Sequence, residues 1–334
     1  MRLSALRAPA LVLLPPAAAA ASLLVGATAL SPHDVASALF APHGHGVLHT
    51  IVWDLRLPRV CIAATVGAAL ALCGAMLQGM LRNPLVDPYL TGVSAAAAAA
   101  IALAILAGAA APATPAIGFV AGLGAALLVA ALARRGTGID ANRLILAGVS
   151  LSTLFAAIVT LAIVRANSSD YAGTILSWLA GSMAGRGWHE LAVAAPYVGA
   201  GLLLCAWAVA PLNALRIGEL RARSVGVDVD RAQWIVLAAS SLLAASSVVL
   251  AGLVGFIGLI VPHLARRVVG SDARALLPAC AAIGAALCML ADAVCRIIVA
   301  PAELPIGVLL AFIGVPTFLY LYLRPSPLSG SGGA

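Results

Sequence analysis

Ten apolar runs leave this 334-residue chain almost no polar surface. They fall at about residues 9–30, 60–81, 91–110, 115–133, 143–164, 190–210, 232–252, 256–269, 275–294 and 304–323. A bilayer core calls for roughly 20 apolar residues per helix, and most of the runs reach that length. With 63% hydrophobic and only 9% charged residues, a soluble domain of this size would lack the polar side chains to cover itself. The expected fold class is therefore an all-α polytopic membrane protein with about ten transmembrane helices. It forms one domain over 1–334, with a tail, 325–334, that reads as flexible.

Two places test the count. The N-terminus carries Arg2 and Arg7 before an apolar run, which imitates a secretory signal. Its length and the Pro15-Pro16 interruption favour a retained first helix. The stretch 232–269 is too long for one span and short for two, and Gly252, Gly255, Gly258 and Pro262 break it. Two spans there place both termini in the cytoplasm, with fourteen arginines inside and five outside (Arg56, Arg59, Arg165, Arg186 and Arg296). Cytoplasmic loops are normally the richer in basic residues, so this arrangement is the expected one.

Every basic side chain other than histidine is arginine, and lysine is absent. A Walker A loop needs its lysine to hold nucleotide phosphates, so the chain is not expected to carry an ATPase site. Schiff-base chemistry is excluded for the same reason. The six cysteines lie in or beside apolar runs without a CxxC spacing and read as small hydrophobes. No Asp, Glu or Arg falls at the centre of a predicted span. Ion-coupled transporters use such groups, so a stand-alone ion-coupled secondary transporter is the less favoured alternative.

Charge concentrates in 211–231, PLNALRIGELRARSVGVDVDR, where seven charged residues separate two apolar runs. The order Gly218-Glu219, Ala222, Gly226 suits a short amphipathic helix bounded by glycine and lying along the membrane surface. Such a segment either docks on a soluble partner or is a solvated loop. The loop Arg82-Asn83-Pro84-Leu85 makes a tight turn at the cytoplasmic side, fit for a gate edge or a plain connector. Arg56, Arg59 and Arg296 break the usual charge bias outside, either as interface arginines or as a basic rim for an acidic partner. His33, His43, His45 and His49 share the first external loop. His43, His45 and His49 are candidates for metal or haem capture, although only His45 and His49 have a helical ligand spacing.

Together these segments resemble the FecCD-type permeases, membrane subunits of binding-protein-dependent ABC importers for iron chelates, haem and cobalamin. The resemblance runs through 56–59 (RLPR), 67–94 (GAALALCGAMLQGMLRNPLVDPYLTGVS), 144–152 (LILAGVSLS) and 177–182 (SWLAGS). It continues through 212–227, 255–278 and 291–324, in order along nearly the whole chain. It implies a homodimer in the bacterial inner membrane, with a cytoplasmic ABC ATPase dimer and a periplasmic or lipid-anchored substrate-binding protein as partners. Membrane lipid surrounds it, and no nucleic acid is expected.

By position, the resemblance implies ATPase coupling through Arg216, Gly218, Glu219, Arg221, Ala222 and Gly226. It implies binding-protein docking at Arg56, Arg59 and Arg296, and an inner gate at Asn83 and Leu85. No cofactor is expected on this chain; ATP and magnesium would sit on the partner ATPase. Among cargoes, ferric siderophore is expected first, with cobalamin or haem as the alternative. One departure stands out: Ser94 is followed by six alanines, so no substrate contact is assigned to that helix.

Overall fold

A computed structural model describes residues 2–323, apart from 27, 42, 43, 45, 110–112, 136, 137, 167, 168 and 301. The tail 325–334 lies outside the described residues. The chain opens with α1 (Arg2–Leu24) and a short surface helix, α2 (Pro32–Leu39). Ser31 caps α2 with its hydroxyl on the Asp34 N–H, and Asp34 returns a bond to the Ser31 N–H. A turn of helix, α3 (Val47–His49), passes through a π-helical segment, Thr50–Arg56, into α4 (Leu57–Leu81).

Beyond a 3₁₀ turn at Pro88–Thr91 come α5 (Val93–Leu106) and α6 (Thr114–Leu132). A two-residue antiparallel ladder, β1 (Arg134–Arg135) with β2 (Gly138–Ile139), precedes α7 (Ala141–Arg165) and α8 (Ser169–Ala180). Then follow α9 (Trp188–Arg216), the short α10 (Glu219–Ser224), α11 (Val229–Ala251) and α12 (Ile257–Val269). The fold ends with α13 (Ala273–Cys295) and α14 (Ile306–Leu323).

Among the described residues, six helices are long and apolar enough to cross a membrane, and three shorter apolar segments lie at 9–24, 93–106 and 306–320. The stretch 232–269 is two helices, α11 and α12, parted at 252–256. At the centre stand α4 and α11, each buried over 78% of its most apolar window, whereas α7 is buried over only 17%. An apolar helix that turns most of its side chains outward is solvated by lipid or by another protein.

What brings α4 against α12 and α13 is the absence of side chains. Gly67 and Gly74 lie on one face of α4, two turns apart. A Cβ built on Gly67 would lie 2.1 Å from the Gly284 carbonyl oxygen of α13, and one on Gly74 1.8 Å from that of Gly258 in α12. Inside lipid, association gains no hydrophobic drive, and close backbone approach supplies the dispersion contacts instead.

The break between α11 and α12 is the second organising feature. Gly252 and Phe256 both take positive φ, +68° each. The freed backbone groups find partners on neighbouring elements, as any irregular segment away from water must. Val254 N–H donates to the Tyr89 hydroxyl at 2.6 Å, and that hydroxyl donates to the Val254 carbonyl. Ser182 N–H reaches the Ala251 carbonyl at 2.9 Å, and Ile306 N–H reaches that of Gly181 at 3.0 Å. The end of α8 and the start of α14 therefore meet at this break.

The glycine crossing predicts a sharp asymmetry. Gly74→Ala forces α4 off α12 and costs about 3 kcal/mol or more. Gly124→Ala on α6, where an added Cβ meets nothing within 4 Å, is neutral or gains up to about 1 kcal/mol. Detergent-titrated unfolding of the two variants checks the difference.

Candidate functional site

Polar chemistry gathers at the two ends of the bundle. At one end, α9 stops at Arg216 and the chain turns through Gly218, whose φ of +110° suits glycine alone. This turn starts α10. Ala222 is fully buried beneath it, while Leu220 is 87% exposed and Ile217 and Val225 also face outward. Gly226, at φ +82°, ends the segment, and Arg223 meets Asp230 at 3.3 Å on the surface.

The helix is anchored through two hydrogen bonds of the Gln233 side-chain amide. Gln233 Nε2 donates to Glu219 Oε1 at 3.1 Å, and Gln233 Oε1 accepts from the Ile139 N–H at 2.9 Å. Glu219 is thus tied to the β1–β2 ladder. Between them opens a cleft of about 690 Å³, lined by Arg82, Asp140, Asn142, Gly218, Glu219 and Arg221, among others. On the flank, Asn213 of α9 donates to Asp272 Oδ1 at 2.8 Å and accepts from the Ala273 N–H at 2.8 Å. The N–H of Arg274 and the Asn213 amide hold the Asp272 carboxyl below its usual range. The turn between α12 and α13 is therefore fastened to the base of α9.

The loop expected to edge a gate lies next to this cleft. Arg82 closes α4 in the left-handed conformation (φ +52°). Asn83 accepts the Leu85 N–H on its side-chain oxygen at 2.9 Å, and Leu85 is 42% exposed. Behind the loop, Gln78 is buried and saturated. Its amide nitrogen donates to the Val86 carbonyl (3.2 Å) and the Gly258 carbonyl (3.0 Å), and its oxygen accepts from Arg266 Nη1 (2.7 Å). Sequence reasoning missed Gln78, Gln233 and the ladder at 134–139. Two glutamines inside otherwise apolar runs were the available signal, since a buried amide needs partners.

At the opposite end, three arginines collect around the terminus of α1. The last carbonyls of a helix have no partner within it, and α1 has no basic residue in its last turn. Arg56 donates to the carbonyls of Leu23 (2.6 Å) and Thr28, and Arg296 to those of Ser22 (3.0 Å) and Val25 (2.8 Å). Both are only 6% exposed. Arg59 grips Asp292 through Nε and Nη2 and reaches Glu303 at 2.8 Å. Asp292 also pairs with Arg296 at 3.2 Å.

A cavity of about 420 Å³ opens here, lined by Asp54, Arg56, Arg59, Arg186, Arg296 and Glu303 among others. The structure thus brings the three expected arginines together, with Arg56 and Arg296 turned inward onto α1. Of the loop histidines, His43 and His45 lie outside the described residues, and His49 stacks on Trp53 with ring centroids 6.1 Å apart. Arg186 lies 4.9 Å over the Trp178 ring.

A bundle rich in apolar helices of membrane-spanning length, with a glycine-bounded surface helix at one end and a charged cavity at the other, is the architecture of a polytopic membrane protein. The family profile of the FecCD transport family matches residues 13–324. A cobalamin import system permease protein, BtuC, of Halobacterium salinarum is 41% identical over 289 residues, covering 84% of this chain and 76% of the relative. A vitamin B12 import system permease protein, BtuC, of Escherichia coli is 38% identical over 306 residues, covering 91% and 90%.

A solved structure assigned to the metal-chelate type of ABC transporter, in an inward-facing conformation, superposes with a TM-score of 0.83. It is 34% identical and is covered over 98% of its length by 94% of this chain. A second, PsaBC from Streptococcus pneumoniae in complex with Fab, shares the fold alone, at 15% identity and a TM-score of 0.57. The chain belongs to the FecCD transport family. It is a multi-pass membrane protein and an ABC-transporter permease.

Two substitutions probe the two ends. Asp292→Ala leaves Arg296 buried without its carboxylate and costs about 3–5 kcal/mol, with Glu303→Gln well below that because Glu303 is partly exposed. Gln233→Leu strands the Ile139 N–H and costs about 1–3 kcal/mol. Unfolding curves of the purified variants measure both.

Proposed function

We propose that this permease imports cobalamin, as one half of a homodimer in the bacterial inner membrane whose pathway runs between the two copies. The observation that carries this is similarity along almost the whole chain to permeases named for cobalamin or vitamin B12. Those relatives move the cargo from ferric siderophore, the first expectation, to the alternative, and leave haem without a named relative among them. In this reading the chain crosses the membrane about ten times with both termini in the cytoplasm, α12 serving as a short span. It performs no bond chemistry of its own.

Energy comes from an ABC ATPase dimer that binds ATP and magnesium. The exposed Leu220 and the charged face of α10 (Arg216, Glu219, Arg221) enter a groove on that ATPase, with Gly218 and Gly226 as the bends at either end. Movement of α10 passes through Ala222 to the bundle, through Gln233 to the β1–β2 ladder, and beside Arg82 to the gate loop at Asn83 and Leu85. Such coupling biases a two-state arrangement of the halves rather than creating a new one. At the other end, a binding protein delivers cargo over Arg56, Arg59 and Arg296. Glu303 occupies the outer nitrogen of Arg59, and an acidic residue of the binding protein takes its place there.

The test is ATPase activity of the permease reconstituted with its ATPase in nanodiscs, with binding protein loaded in turn with cobalamin, ferric siderophore or haem. Stimulation by the cobalamin-loaded form alone is expected. Stimulation by another cargo and not by cobalamin overturns the assignment. Glu219→Arg should lower cobalamin uptake at least about tenfold while binding-protein docking persists. Unchanged uptake in that variant removes the coupling role.

A further inference from the structure

A third polar feature lies apart from both ends' candidate sites. Between α1 and α13 runs a groove of about 850 Å³, within the range of roughly 300–1,000 Å³ common for bound small molecules. One wall is Leu11, Val12 and Pro15 of α1; the other is Ala275, Pro278, Ala279 and Ala282 of α13. The α13 residues repeat at helical spacing on one face, and their small size is what keeps the slot open. At 1.5 Å per residue they extend it about 10 Å along the helix.

The last turn of α12, with Arg266 and Arg267, closes one end of the groove. This end lies on the same side as α10, because Asn213 at the base of α9 bonds Asp272 in the adjoining turn.

The two arginines differ. Arg266 is committed to Gln78. Arg267 is exposed and has no hydrogen-bond or ion-pair partner among the described residues. Arginines in a last turn offset the negative end of their own helix, but that leaves the donors of Arg267 free. An apolar slot on the outside of the bundle, with a guanidinium at one end that has no partner among the described residues, complements one chemistry: acyl chains below a phosphate.

We propose that this groove is a site for an anionic phospholipid, with the acyl chain between α1 and α13 and the headgroup phosphate on Arg267. Nothing in this proposal depends on the identity of the cargo. Zwitterionic lipid has the same chains and phosphate, but its ammonium meets the local excess of arginine. Basic pockets between spans favour anionic headgroups by about 1 kcal/mol per arginine near the surface, which is roughly fivefold in affinity.

The experiment is native mass spectrometry of the intact, delipidated permease titrated with phosphatidylglycerol, phosphatidylcholine or inorganic phosphate. Phosphatidylglycerol is expected to bind in one tight step, roughly fivefold or more ahead of phosphatidylcholine, with no retained inorganic phosphate. Arg267→Gln should remove that preference. Ala275→Trp, which fills the slot and keeps the charge, should abolish the tight step, with gel filtration confirming that both variants remain folded.

Equal binding of the two lipids overturns the proposal. So does retention of phosphate alone, or unchanged phosphatidylglycerol binding in Ala275→Trp; the last two mark a surface charge without a groove.

Discussion

Two bare glycine contacts, Gly67 on Gly284 and Gly74 on Gly258, hold the bundle in register. They bring α4 within backbone distance of α13 and α12, and the other elements take their places around that core. In water, an apolar helix is driven into any apolar neighbour. In lipid that drive disappears, so specificity has to come from shape. The close crossing also positions Gln78, one turn below Gly74, where it can reach the Gly258 carbonyl.

Several buried polar groups in this molecule are tied to a backbone group or an opposite charge, whereas the hydroxyls of Ser94 and Ser240 and Nε2 of His263 are buried without a partner among the described residues. Gln78 serves the gate loop, α12 and Arg266. Arg56 and Arg296 absorb the unpaired carbonyls of α1. Tyr89 closes the open backbone at Val254, where α11 and α12 part. These ties give both ends of the permease a stiff frame around more exposed elements, α10 with Leu220 and the turn at Leu85. A transporter that alternates between two arrangements needs such a division, because a packed core moves between discrete states rather than deforming smoothly.

Much of the site was legible beforehand. Glycines 218 and 226 around a charged stretch marked α10, and arginines on the side poor in basic residues marked Arg56, Arg59 and Arg296. Their orientation was not legible. Whether an arginine faces a partner or caps a neighbouring helix depends on where α1 ends in space, and residues 22–28 are distant from 296 in sequence. Gln233 was hidden for the same reason, since its partners, Glu219 and Ile139, lie on different elements.

The sequence by itself determined that this is a many-helix membrane protein without lysine chemistry. Apolar run length and residue type are local properties that a bilayer reads directly. It also marked a stretch where a break could fall, because Gly252, Gly255, Gly258 and Pro262 lie in an apolar run too long for one span and short for two. Tertiary structure alone decided which helices are central, which glycines touch, and which arginines are turned inward onto backbone carbonyls. Those outcomes depend on close contacts between residues far apart along the chain, and no local pattern encodes such a contact.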